Sequence, residues 1–312
     1  MSAAASQGAG AALSAEEQKP PIFLLGAQRS GTTMLRLMLN NHHNLAIPHE
    51  TAFITIYFQR LGDYGDLGSK DNARRLLDDV ARHPLVRRGN LIADPEAVLA
   101  REIGDYKDFV DAIYRCYAAA RGKVRWGDKT PFYTPDIDII RRIFPHSKIV
   151  HLVRDGRDVV LSQRSIEWMS GNLPKLVLDW QWKTTIAHKV GAVLGDDFLE
   201  VRYEDLVRRP EEVLREICTF IDEDYDPSML NYWADAESVV PRESLKWHRN
   251  SVQPPDPGKL QKWKKQLSKS ERIVFEQLAG ETLDLFGYER EHMSPTIASR
   301  ALKVYHTLLK RK

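Results

Sequence analysis

The stretch Ile22-Phe23-Leu24-Leu25-Gly26-Ala27-Gln28-Arg29-Ser30-Gly31-Thr32-Thr33 decides the fold of this 312-residue chain. Four apolar residues are followed by a polar loop between two glycines and then by a segment with helical apolar spacing. This order predicts a buried strand that turns through a tight loop into a helix. Such a loop directs several backbone N–H groups at one point, and the helix dipole adds positive potential there. The stretch therefore predicts an anion site, most often one for phosphate.

The spacing of Gly26 and Gly31 is that of the phosphate-binding loop of nucleotide enzymes. Thr32 stands where that motif has lysine, and the only cation inside the loop is Arg29. A glycine turn without a ligand is the alternative interpretation. The apolar run before the loop and the helical spacing after it favour phosphate binding.

Composition sets limits on the class of protein. Hydrophobic residues make up 43% of the chain and charged residues 28%, as in ordinary globular proteins. The net charge of +2 gives no overall attraction to nucleic acid or to a membrane. Cys116 and Cys218 are expected to be buried thiols in a reducing compartment. No apolar run approaches the ~20 residues that span a bilayer. Residues 1–20 lack a signal-peptide pattern, so we expect a flexible tail and a cytoplasmic protein.

Strands and helices alternate along most of the chain, which predicts an α/β fold with a central, mostly parallel sheet flanked by helices. The predicted strands are 22–25, 44–48, 123–127, 148–153 and 198–203. The predicted helices are 32–41, 74–81, 95–103, 106–120, 136–143, 158–169, 176–194, 210–221, 268–285 and 297–309. Few strand signals occur from 52 to 121, so this part is predicted to be a helical insertion at one sheet edge. Residues that follow parallel strands gather around one crevice, and the first loop, Arg154 and Tyr203 occupy such positions.

A second motif, Val150-His151-Leu152-Val153-Arg154-Asp155-Gly156-Arg157-Asp158, follows the fourth predicted strand. Arg154 comes directly after the strand, and Ser162 lies two turns into the next predicted helix. Arginine suits phosphate because its planar guanidinium donates bidentate, charge-assisted hydrogen bonds. The alternative is a surface turn whose charges pair among themselves.

These blocks together resemble the sulfotransferases that use 3′-phosphoadenosine 5′-phosphosulfate, in the branch that includes bacterial and protein-tyrosine sulfotransferases. The loop 28–33 resembles their 5′-phosphosulfate-binding loop, and Arg154 with Ser162 resembles their 3′-phosphate motif. The blocks 126–131 (WGDKTP) and 201–206 (VRYEDL) also resemble that branch. The resemblance implies a three-layer fold like that of phosphate-loop proteins, with a sulfotransferase domain over 21–290. The apolar and basic residues near the end of the chain predict an amphipathic C-terminal helix over 291–312.

The resemblance also implies roles for individual residues. Glu50 matches the catalytic glutamate of the tyrosine-sulfotransferase branch, with His49 as a rival because cytosolic aryl sulfotransferases use histidine. Lys129 and Arg29 would stabilise charge in the transition state, although Lys129 could instead be a surface lysine paired with Asp128. The expected residues of the donor site are Gln28, Arg29, Ser30, Gly31, Thr32, Thr33, Arg154, Ser162, Tyr203, Ser251 and Lys259. No metal is expected.

The acceptor hydroxyl cannot be identified from the sequence: a small molecule, a lipid, a sugar and a peptide all remain open. The insertion 52–121 is expected to form the acceptor side, and Phe53, Tyr57 and Phe58 would suit a ring-bearing acceptor or a plain helical core. The basic C-terminal segment leaves peripheral membrane contact and a homodimer open, whereas no nucleic-acid partner is expected.

Two other functions remain open at this stage: a nucleotide-dependent kinase, and a non-catalytic nucleotide-binding protein. Thr32 in place of lysine argues against the kinase. We predict that adenosine 3′,5′-bisphosphate without magnesium stabilises the protein, adding about 2.7 kcal/mol at 100 times its Kd. The measurement is the melting temperature with this ligand and, separately, with ATP and magnesium. Stabilisation by magnesium-ATP alone would favour a kinase.

Overall fold

The computed structural model describes residues 19–300 apart from 170, 235–239, 241–246, 248–250 and 298. Its five-stranded sheet has the order β2-β3-β1-β4-β5, and every neighbouring pair is parallel. The strands are β1 (Ile22–Leu25), β2 (Leu45–Ala46), β3 (Arg125–Lys129), β4 (Lys148–Val153) and β5 (Phe198–Arg202). The predicted α/β class with a parallel sheet is confirmed.

Helices cover both faces of the sheet. They are α1 (Thr32–Asn40), α2 (Phe53–Phe58), α3 (Lys70–Arg82), α4 (Pro84–Arg88), α5 (Pro95–Leu99), α6 (Tyr106–Ala119), α7 (Ile137–Ile143), α8 (Gly156–Arg164), α9 (Leu173–Leu194), α10 (Tyr203–Arg208) and α11 (Pro210–Phe220), followed by Trp263–Gln266 and Lys269–Leu285. No helix among the described residues is long and apolar enough to cross a membrane.

The central strand β1 shows why the fold has three layers. Successive side chains of a strand point to opposite faces, and all four residues of β1 are fully buried. Phe23 and Leu25 pack into the core that contains the helical insertion, whereas Ile22 and Leu24 pack into the core that contains α1 and α11. A strand buried on both faces requires a continuous apolar run, and the sequence supplies one.

The insertion between β2 and β3 is helical, as predicted, and contains α2 to α6. Its aromatic residues Phe53 and Tyr57 are buried in its own core, and Phe58 packs against that core. Of the two interpretations left open for these rings, the structure therefore favours a helical core.

Several predicted boundaries differ from the structure. β3 lies two residues later than predicted, because Gly127, Asp128 and Lys129 pair with β1 and extend the ladder. β2 has only two residues, because only Leu45 and Ala46 pair with β3. α8 starts at Gly156 because Asp155 caps it, and ends at Arg164 before a short 3-10 turn. Cys218 is buried, whereas Cys116 is only half-buried.

The two ends of the chain are only partly described. Pro20, the last residue of the predicted tail, accepts two hydrogen bonds from the Arg125 guanidinium, at 3.0 and 2.9 Å. Most of the tail, and residues 301–309 of the predicted last helix, lie outside the described residues.

Thr134 fixes the start of the first loop. Its fully buried hydroxyl accepts a hydrogen bond from the Gly26 N–H at 3.0 Å and donates one to the Gly26 carbonyl at 3.1 Å. Gly26 has a positive φ of 153°, and a Cβ there would lie 2.5 Å from the Leu152 carbonyl oxygen. The loop therefore leaves β1 in a conformation that suits glycine and depends on one threonine.

We predict that Thr134→Val lowers the free energy of unfolding by about 1–3 kcal/mol, because it leaves buried backbone groups of Gly26 without a partner. Thr134→Ser keeps the hydroxyl and is the matched control. Urea unfolding of both variants measures the difference. Equal stability of Thr134→Val and the wild type would show that the loop start does not depend on this side chain.

Candidate active site

A cleft of about 670 Å³ lies where the strands of the sheet end. It is lined by most of the predicted site residues, namely Gln28, Arg29, Gly31, Thr32, Thr33, Glu50, Arg154, Ser162, Tyr203, Ser251 and Lys259. Two predicted residues lie behind its wall: Ser30 is buried in the loop, and Lys129 is fully buried beneath Glu50. The fold thus brings together residues as far apart in sequence as Gln28 and Lys259.

The first loop is shaped by close packing against Tyr203. Gly31 precedes α1 with φ of 97°, and a Cβ at this position would lie 2.3 Å from the Tyr203 ring. Thr32, which replaces the lysine of nucleotide loops, is buried and close to Gly26. The Ser30 hydroxyl is also buried and has no hydrogen-bond partner among the described residues. An unpaired buried hydroxyl beside a helix N-terminus fits an anion-binding loop.

The two predicted phosphate motifs contact each other directly. Arg29 Nε donates to Ser162 Oγ at 3.1 Å, and Arg154 Nη1 donates to the Arg29 carbonyl at 3.1 Å. The Arg154 guanidinium also lies over the Tyr203 ring, 4.6 Å from its centroid. Burial lowers the pKa of Arg29, and the positive charge of Arg154 lowers it further. Two cations held this close favour an anion between or beside them.

The alternative of a self-paired surface turn holds for only part of the second motif. Arg157 and Asp155 are buried and form an ion pair at 2.8 Å. Arg154 lies 3.8 Å from Asp158, but its buried Nε has no partner among the described residues. Asp158 also accepts hydrogen bonds from the backbone of Gln261 at 2.8 Å and Trp263 at 2.9 Å. Arg154, which lines the cleft, therefore has an N–H group that no described residue accepts.

Glu50 and Lys129 form an ion pair at the other part of the cleft. Lys129 Nζ lies 2.6 Å from Glu50 Oε1 and 3.3 Å from Thr33 Oγ1, and the lysine side chain is completely buried. Burial lowers the pKa of Lys129, and the Glu50 carboxylate opposes this shift. The alternative of a surface lysine paired with Asp128 is wrong. Glu50 lies in irregular backbone before α2, which begins at Phe53.

His49, the rival base, also lines the cleft but has a different electrostatic environment. Burial lowers its pKa to about 3, and the charges of Lys129, Arg36 and Arg88 act in the same direction. The imidazole is therefore neutral near pH 7, and it is a weaker base towards a hydroxyl than an ordinary histidine.

Several contacts of the first loop could not be predicted from the sequence. Lys183 of α9 donates to Gln28 Oε1 at 2.7 Å, and Gln163 donates to the Gln28 carbonyl at 3.2 Å. Arg29 Nη2 donates to the Trp247 carbonyl at 2.7 Å. Phe132 lines the cleft two residues after Thr130 and remains 47% exposed. Only the fold brings these residues to the loop, and no local pattern marks them.

One group of potential metal ligands occurs among the described residues: His42, His43 and Asp226. It does not line the cleft. His42 Nε2 lies 2.8 Å from the Asp224 carbonyl, and Nδ1 accepts a hydrogen bond from the Asn44 N–H at 3.0 Å. The His42 ring thus uses both nitrogens for hydrogen bonds within the protein.

Comparison with known proteins identifies the family. The model of the sulfotransferase family matches residues 20–227, which is more than half of the chain. The chain belongs to the sulfotransferase family. The matched region contains the first loop, Glu50, Lys129, the Arg154 motif and Tyr203, and ends before Ser251 and Lys259.

Individual sulfotransferases are similar over much of the chain. Nodulation protein NoeE of Sinorhizobium fredii is 26% identical over 86% of this chain and 66% of its own length. Protein-tyrosine sulfotransferase 1 of Danio rerio is 27% identical over 68% of this chain and 56% of its own length. The chain thus spans only about half to two thirds of these curated relatives.

Among solved structures, the sulfotransferase domain of the Synechococcus PCC 7002 olefin synthase is similar with a TM-score of 0.61. It is 26% identical, and the match covers 89% of this chain and 99% of that domain. The similarity therefore extends over the whole of that sulfotransferase domain.

We predict that the neutral, buried state of His49 makes the sulfotransferase fold less stable in acid. The unfolded chain takes up a proton near pH 6.5, whereas the folded protein resists it down to about pH 3. The stabilisation by this group is present above pH 6.5 and is lost as the pH falls through that window, at up to ~1.4 kcal/mol per pH unit. His49→Gln should remove this part of the slope.

Urea unfolding at pH 7 and pH 5 measures this effect. The free-energy difference between wild type and His49→Gln should change by about 2 kcal/mol between the two values. His146→Gln, at an exposed histidine, is the matched control. A parallel pH dependence of wild type and His49→Gln would contradict a buried neutral imidazole.

Proposed function

We propose that this protein transfers the sulfuryl group of 3′-phosphoadenosine 5′-phosphosulfate to an acceptor hydroxyl, with Glu50 as the general base. The observation that carries the proposal is the contact of the buried Lys129, behind the wall of the cleft, with two residues that line it. Lys129 Nζ contacts both Glu50 Oε1 and Thr33 Oγ1, so a carboxylate and an ammonium lie beside the N-terminus of α1. Family membership supports the reaction class.

The residues of the cleft suit the two ends of this donor. The first loop contains Arg29 and a Ser30 hydroxyl without a hydrogen-bond partner in the described part of the chain. It would hold the 5′-phosphosulfate, because helix N-termini and arginine bind such anions. Arg154 and Ser162 would hold the 3′-phosphate, and Tyr203, Ser251 and Lys259 would complete the donor site. These assignments rest on the cleft lining and on donor chemistry.

The chemistry follows from the same arrangement. Glu50 takes the proton of the acceptor hydroxyl as its oxygen bonds to sulfur. The sulfur–oxygen bond to the 5′-phosphate breaks, and its electron pair leaves with adenosine 3′,5′-bisphosphate. Lys129, Arg29 and the loop N–H groups stabilise the charge that develops on the leaving oxygen.

The acceptor would enter on the side of the helical insertion, where Leu85, Arg88 and Phe132 line the cleft. The name of the Danio rerio relative makes a tyrosyl hydroxyl one candidate acceptor.

We predict that Glu50→Gln lowers kcat by about 10² to 10⁴-fold, the usual contribution of a general base. Both Glu50→Gln and Glu50→Ala remove the negative charge, but glutamine retains an oxygen that can accept a hydrogen bond from Lys129, whereas alanine leaves no acceptor at this position. The Kd for adenosine 3′,5′-bisphosphate should change less than about threefold. Transfer is measured with labelled donor and a panel of phenol, tyrosyl-peptide, long-chain alcohol and sugar acceptors.

His49→Gln separates the two candidate bases in the same assay. A larger loss of kcat in His49→Gln than in Glu50→Gln would assign the proton transfer to the histidine. Full activity of Glu50→Gln would refute the assignment, and ligand binding without transfer to any acceptor in the panel would favour a non-catalytic nucleotide-binding protein.

A further inference from the structure

Asp128 is a fully buried carboxylate that the proposed chemistry does not use. Its Oδ2 accepts hydrogen bonds from Tyr114 of α6 at 2.6 Å and from the Thr51 hydroxyl at 2.9 Å. The Thr51 hydroxyl also lies 3.0 Å from the Tyr114 hydroxyl and 3.3 Å from that of Tyr133. Thr51 and the three residues around its hydroxyl are all buried.

Thr51 directly follows Glu50, and both are tied to the end of β3. Glu50 pairs with Lys129, and Thr51 pairs with the preceding residue, Asp128. The Thr51 N–H also donates to the Thr130 hydroxyl at 3.1 Å. Residues 128–130, at the end of β3, therefore contact both Glu50 and Thr51. The loop itself has no strand or helix to fix its direction. These contacts hold the backbone on the C-terminal side of Glu50 against the end of β3.

A contribution to fold stability is a weak explanation for the buried Asp128 carboxylate. Burying a carboxylate is costly, and apolar residues of similar volume often stabilise a protein as well or better. Burial raises the pKa of Asp128 to about 6, against the opposing hydrogen bonds from Tyr114, Thr130 and Thr51. At neutral pH it remains an acceptor for both hydroxyls. Buried polar networks are able to specify one geometry, and a base requires one, since a displacement of about 1 Å can cost 10²-fold in rate.

We propose that Thr51, Asp128 and Tyr114 are positioning residues that hold Glu50 in the orientation for proton abstraction. The inference rests on the proposed function. It also links the insertion to the reaction, since Tyr114 belongs to α6 and contacts the residues next to Glu50 and Lys129. None of the three touches the reacting atoms. Their effect passes through the backbone of Thr51 and the end of β3.

The test measures kcat and the affinity for adenosine 3′,5′-bisphosphate, the product formed from the donor, in conservative variants. Thr51→Val and Tyr114→Phe should each lower kcat about 10- to 100-fold, while the Kd for adenosine 3′,5′-bisphosphate changes less than twofold. Thr51→Ser restores the hydroxyl and should bring kcat back to within about threefold of wild type. Tyr106→Phe is the matched control, because it removes another buried hydroxyl of α6, which donates to the Ile54 carbonyl at 2.8 Å. Its kcat should stay within twofold.

The assay uses labelled donor and the acceptor of the panel that reacts fastest, with melting temperatures measured for every variant. If Thr51→Val fails to fold, Tyr114→Phe decides, since it removes a single oxygen atom. Wild-type kcat in the variants that fold would overturn the inference, and so would equal losses in kcat and in affinity for adenosine 3′,5′-bisphosphate.

Glu50→Gln in the same series separates the two proposals. An inactive Glu50→Gln with fully active Thr51 and Tyr114 variants would refute the positioning role alone, whereas an active Glu50→Gln would refute the base assignment and this inference with it.

Discussion

The buried ion pair between Lys129 and Glu50 is the constraint on which the site depends. An ammonium that is completely removed from water is costly unless a carboxylate compensates it. The pair therefore fixes the loop before α2 against the end of β3, and its contact with Thr33 adds the start of α1. Three segments separated by long stretches of sequence are held by one charge. The fold and the proposed chemistry both depend on this interaction.

The rest of the cleft is organised around a second electrostatic feature, the adjacent guanidinium groups of Arg29 and Arg154. The sheet delivers them from the ends of β1 and β4, which are neighbouring parallel strands. Tyr203, after β5, packs against Gly31 and beneath Arg154, so the third strand end supports both motifs. The strand order thus places the two guanidinium groups in the same cleft as the Glu50 carboxylate.

The sequence predicts the parts of this arrangement that local patterns encode. β1 and β4 have the predicted boundaries because strands covered on both faces are continuous apolar runs. β3 was predicted two residues early, since Asp128 and Lys129 are charged and look like a turn, although both are buried. Lys129 pairs with Glu50 across 79 positions, Gln28 with Lys183 across 155, and Asp128 with Tyr114 across 14. No periodicity in the sequence encodes such pairings. Resemblance to a family pointed to Glu50, and composition alone would not have done so.

The two neighbouring guanidinium groups also have a practical consequence for handling the protein. Without an organic ligand they repel each other, so inorganic dianions in the medium gain a favourable place to bind. We therefore expect phosphate and sulfate buffers to compete with a nucleotide for the cleft and to stabilise the protein. We expect a chloride solution with a zwitterionic buffer to avoid this competition. The anion in the buffer is therefore expected to affect the measured Kd of any nucleotide.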